Sequence, residues 1–66
     1  MTFGERLKGL RQRKGVSGKQ LGEAVGVTQS AISYFESDFK NPKIEVLIRI
    51  ADYFEVTTDY LLRGKE

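Results

Sequence analysis

Apolar residues recur along this chain at the three-to-four-residue spacing of helices, and no stretch alternates as a strand does. Phe3, Leu7 and Leu10 share one face of a first helix, predicted over Phe3 to Lys14. Leu21, Ala24 and Val25 predict an inward stripe on a second helix, and Ala31, Ile32 and Phe35 one on a third, from Gln29 to about Ser37. A fourth, from about Ile44 to Phe54, is apolar nearly all round and predicts a central position. Tyr60, Leu61 and Leu62 predict a short fifth. The expected fold class is all-α: a compact arrangement of five helices with short connections.

The polar residues between these runs punctuate them. Thr2 and Glu5 fit a capping box at the start of the first helix, Ser17 and Gln20 at the second. Gly15, Gly26 and Gly64 follow the first, second and fifth, where a left-handed residue ends a helix. Thr28 and Thr57 stand where N-caps belong. Pro42, in the loop from Ser37 to Lys43, forbids continued helix before it. Between Ser17 and Ser37 lie two short helices and a tight Val25-Gly26-Val27-Thr28 turn. Gly22 sits between Leu21 and Val25, where a small residue lets two helices approach, although glycine weakens a helix by about 1 kcal/mol relative to alanine. That combination is what a helix-turn-helix requires.

Composition narrows the chemistry. At 66 residues the chain forms one small domain, with a formal net charge of +2 and a pI near 9.1, compatible with a nucleic-acid partner without demanding one. It has no cysteine and no histidine, which leaves no thiolate metal site and no imidazole base, and leans toward the cytosol. Its carboxylates are scattered, and Gly15-Val16-Ser17-Gly18-Lys19 has the wrong spacing for a phosphate-binding loop. No catalytic residue, metal site, cofactor or small-molecule ligand is expected, and no membrane span. With Ile32 and Phe35 inward, the third helix turns Ser30, Ser33 and Ser37 outward, flanked by Gln29 and Tyr34. A merely solvated face more often carries Glu and Lys, so this polar, nearly uncharged row reads as a contact surface.

In these residues the chain resembles the lambda-repressor-like, Xre/Cro-type DNA-binding domains. The resemblance covers essentially all of it: Leu7 to Arg11, the L-G-E-A-V-G-V-T-Q-S-A-I-S stretch, Phe35-Glu36-Ser37, Lys40-Asn41-Pro42, Ala51 to Phe54, and Val56 to Leu62. It implies a sequence-specific regulator of transcription, a repressor or phage-type switch, whose third helix reads the major groove of double-stranded DNA. Residues 1–66 would then be a single DNA-binding domain with its helix-turn-helix at about 17–37, in a bacterial or phage cytoplasm at the nucleoid. Gln29, Ser30, Ser33 and Tyr34 would contact bases. Ser17, Lys19, Thr28, Lys40, Asn41 and Lys43 would contact phosphates. Arg11 and Glu36 would form a structural ion pair. A homodimer, weak or DNA-induced, would match a palindromic operator through Val56, Thr58, Tyr60 and Leu61; the alternative is that these residues close the core, and for Leu61 it is the stronger one. Chains of this family often continue into a further domain, and Gly64-Lys65-Glu66 equally suits a natural end.

The chain departs from the family pattern in five places. Gly18 stands where the family usually has a glutamine that touches phosphate. Tyr34 and Phe39 replace common positive residues, which removes about two charges from the expected DNA face and weakens phosphate affinity. Asp38 and Glu55 occupy turns where the family prefers glycine. Phe39 is expected either beneath its loop, as aromatics in small domains are usually buried, or exposed as a contact. The competing reading of Gly18, Tyr34 and Phe39 is a protein-interaction module, antitoxin- or antirepressor-like, that uses the third-helix face.

Overall fold

The computed structural model describes residues 1–65. Five helices follow in order: α1 Phe3–Lys14, α2 Gly18–Val25, α3 Gln29–Glu36, α4 Ile44–Phe54 and α5 Thr58–Arg63, with no strand among the described residues. Their ends are set locally, as the sequence predicts. Thr2 and Glu5 close one capping box, Ser17 and Gln20 another, and the Thr28 and Thr57 hydroxyls accept the third N–H of α3 and α5. Gly15, Gly26 and Gly64 take the left-handed conformation. So do Asp38 (φ 62°) and Glu55 (φ 56°), at the two turns where the family prefers glycine.

Leu7, Leu21, Val25, Ile32, Phe35, Leu47, Ile50, Ala51 and Leu61 form one core contributed by all five helices. Phe3, Leu10, Ala31 and Tyr53 pack partly buried around it. Two expectations are corrected, and the Phe39 alternative is decided. Ala24 is exposed, and the inward stripe of α2 is Leu21, Gly22 and Val25. Helix α4 is not enclosed: Ile44 and Ile48 are 68% and 48% exposed, because so small a domain cannot cover both faces of any helix. Phe39 is 72% exposed. The left-handed turn at Asp38 and the bond from the Phe39 N–H to the Tyr34 carbonyl (2.9 Å) turn it back over α3 rather than under the loop.

Asp38 also serves α1. Its carboxylate accepts the Gly4 N–H at 2.9 Å, supplying a partner to an otherwise free donor of the first turn. The Thr2 side chain and that N–H hold the Asp38 carboxyl below its ordinary pKa. A depressed folded-state pKa stabilises the fold at higher pH and ceases to do so as pH falls through it. Stability is therefore expected to decline on acidification below the ordinary carboxylate range. The decline should be shallower in Asp38→Asn, which keeps an acceptor and tolerates the left-handed turn. Urea unfolding curves along a pH series check this; an unchanged pH slope in the variant would contradict it.

Candidate nucleic-acid interface

Helices α2 and α3 are packed closely because Gly22 permits it: a Cβ there would lie 2.6 Å from the Val27 carbonyl oxygen. The Gly22 carbonyl accepts the N–H groups of Gly26 (2.8 Å) and Val27 (2.9 Å), which fixes the turn. Gly4 plays the same part between α1 and α3, where a Cβ would run into the Glu36 carbonyl. This second close approach goes unread in the sequence, where Gly4 is only an interior residue of a capping box.

Ion pairing then fixes the direction of α3. Arg11 Nε donates to Glu36 at 2.6 Å and Nη2 to the other carboxylate oxygen at 3.1 Å, while Nη1 holds the Val16 carbonyl. The hydrogen bond to Glu36 raises the Arg11 pKa. Both side chains are mostly covered, so the pair joins α1 to α3 and is not open to a ligand. Arg13 is exposed. Lys14 places its ammonium 4.9 Å from the centre of the Tyr53 ring, a cation–π contact that ties the end of α1 to α4.

With its inner side committed to Ile32 and Phe35, α3 presents an outer side on which Gln29, Ser30, Ser33 and Tyr34 line one open depression. These are the four residues expected to touch bases. None of them carries charge, and each offers groups that bond base edges or methyls. The residues expected to hold phosphate are all exposed: Ser17, Lys19, Thr28, Lys40, Asn41 and Lys43. The Ser17 and Thr28 hydroxyls accept backbone N–H groups, leaving their own protons to donate. Lys43 is the N-cap of α4 and makes no side-chain capping bond, so the first N–H groups of that helix are left to solvent or an anion. Among the described residues the ion pairs are Arg11–Glu36 and Arg63–Asp59, and neither involves Lys19, Lys40 or Lys43. Gly18 leaves ordinary room beside Gln29, 3.7 Å from the position of a Cβ to the Gln29 Cγ.

The structure does not bring the expected dimer residues into one exposed patch. Leu61 has no exposed surface and belongs to the core. Val56 and Tyr60 are half-buried, and of the four Thr58 alone is exposed. Arg6, which sequence patterning misses, is buried with its guanidinium bonded to the carbonyls of Met1, Leu61 and Leu62. Among the described residues no group of side chains suits a metal ion, and no helix is long and apolar enough to cross a membrane.

Comparison with known proteins agrees with this arrangement. The chain is 35% identical over all 66 residues to the HTH-type transcriptional regulator ImmR of Bacillus subtilis, of which it spans 51%. It is 42% identical over the same length to the HTH-type transcriptional activator BcrR of Enterococcus faecalis, of which it spans 32%. It thus spans about half or less of these relatives. Among solved structures, the P22 c2 repressor in complex with a synthetic operator superposes with a TM-score of 0.96 at 32% identity, covering 98% of both chains. The sequence profile of the helix-turn-helix family matches residues 7–61. With five helices, the α2–α3 turn and this match over most of its length, the chain belongs to the lambda-repressor-like helix-turn-helix family.

Proposed function

We propose that residues 1–66 act as one DNA-binding unit of a transcription regulator, and that α3 reads operator sequence in the major groove. One observation carries the reading: an uncharged hydrogen-bonding face, Gln29-Ser30-Ser33-Tyr34, has the Lys40 ammonium against its Tyr34 ring, and Lys19, Lys40 and Lys43 are exposed and take part in none of the ion pairs among the described residues. The likeness to an operator-bound repressor supports it. Gln29 bonds a base edge, in the manner of a bidentate contact to adenine, while Ser30, Ser33 and Tyr34 contact neighbouring bases. Ser17, Thr28, Asn41 and the three lysines hold phosphates and set the register of α3 without reading sequence. The regulator works in the cytoplasm of a bacterium or on a phage genome, and performs no catalysis. Two copies on a palindromic operator, aligned by the DNA through Val56, Thr58 and Tyr60, would place their recognition helices about 34 Å apart.

Selection of bound duplexes from a random library at near-physiological salt tests this reading, and a palindrome should be enriched. Gln29→Ala is then expected to lose about 1–3 kcal/mol on the selected site and to relax preference at one base pair per half-site. Lys43→Ala should weaken all sequences alike and lower the slope of log affinity against log salt by about one per protein bound. No enrichment, with binding to any duplex equally weak, would refute sequence-specific reading by α3.

A further inference from the structure

Phe39 is the most exposed aromatic residue of the domain, yet it does not stand free. The Tyr34 carbonyl accepts the N–H groups of both Phe39 (2.9 Å) and Lys40 (3.3 Å), which folds the loop back along the end of α3. Two side-chain contacts follow. The Phe39 and Tyr34 rings meet at 5.3 Å between centroids, tilted by 39°, and the Lys40 ammonium sits 5.0 Å from the centre of the Tyr34 ring. Tyr34 is 42% exposed and lines the depression on the outer side of α3. Its ring is thus propped by two neighbours rather than left to swing, and an apolar surface continues from the polar reading face toward the phosphate-binding lysines.

We infer that this Tyr34–Phe39 platform is a specificity determinant that reads the 5-methyl group of a thymine at the loop-proximal edge of each half-site. The inference rests on the DNA-reading function proposed above. Phe39 acts as the positioning residue and Tyr34 as the one in contact. The Phe39 ring offers no donor to a phosphate, and in the major groove the thymine methyl is the apolar feature that distinguishes one base pair from the others. The lysines beside the platform favour a polyanion as its occupant, since Lys40 stands on the ring itself and Lys43 follows in the same loop.

The test uses the 66-residue chain and the duplex chosen by random-library selection, with each thymine replaced in turn by deoxyuridine. Removing the methyl at one position per half-site should weaken the wild-type protein about fourfold per methyl. Phe39→Ala and Tyr34→Ala should bind the thymine duplex more weakly and no longer distinguish it from the deoxyuridine one. Tyr34→Phe keeps the ring and should keep the distinction. All three substitutions fall on exposed side chains, and circular dichroism confirms folding. A selected site that is bound tightly but whose methyls are immaterial to the wild type overturns the inference and leaves the DNA reading intact. So does a thymine–uracil difference that survives in Phe39→Ala. Failure to select any sequence overturns both.

Discussion

Replacing Arg6 by methionine is expected to cost the fold about 3 kcal/mol and to lower its melting temperature by roughly 15 °C or more. The guanidinium is enclosed between α1 and α5 and donates to three carbonyls: Nε to Leu61 and Nη2 to Leu62, each at 2.9 Å, and Nη1 to Met1 at 2.8 Å. Hydrogen bonds to a charged group are worth about 1.5–3 kcal/mol each, and they do not simply add. The Met1 and Leu62 carbonyls are only part-buried and regain water when the arginine is lost. The Leu61 carbonyl is buried and does not. Methionine keeps most of the volume, so the loss reports the carbonyls rather than a cavity. A domain of this length has a total stability of roughly 3–10 kcal/mol, so the loss removes from about a third to all of it. Urea unfolding followed by circular dichroism measures the change. A loss below about 1 kcal/mol would mean that the end of α5 holds without its arginine.

Arg6 also marks where the sequence stops being legible. Its neighbour Leu7 is placed in the core by periodicity alone, whereas a charged residue reads as surface until the packing of α5 on α1 is known. Features decided within a few residues are legible. The capping boxes at Thr2 and Ser17, the turn at Gly26, and the grouping of Gln29, Ser30, Ser33 and Tyr34 all follow from local spacing. The Arg11–Glu36 pair spans 25 residues and came from family resemblance, not from pattern. Phe39, Ile44 and Ile48 show the limit of hydrophobicity as a guide. Their apolar character predicts burial, but the turn at Asp38 and the small size of the domain leave them outside.

Gly22→Ala is expected to destabilise the protein by up to about 2 kcal/mol, against the sign that helix propensity gives. Propensity favours alanine by about 1 kcal/mol in a helix interior. Against it stands a Cβ 2.6 Å from the Val27 carbonyl oxygen and 3.2 Å from Thr28 backbone atoms, which no side-chain rotation relieves. Forced overpacking costs about 1–3 kcal/mol, and the turn cannot open without stretching the bonds that Gly26 and Val27 donate to the Gly22 carbonyl. Gly9→Ala supplies the control. It lies inside α1 with nothing within 4 Å of its Cβ position, so the same substitution should stabilise by about 1 kcal/mol. The two alanines therefore move in opposite directions if contact, not helix formation, selects glycine at position 22. Displacement of Thr28, the N-cap of α3, also tilts the reading face away from the N-terminus of α2. Operator affinity should then fall further than the folded fraction alone requires, measured at a temperature where the variant is fully folded. If Gly22→Ala gains stability as Gly9→Ala does and binds DNA undiminished, the α2–α3 spacing is not what positions the recognition helix.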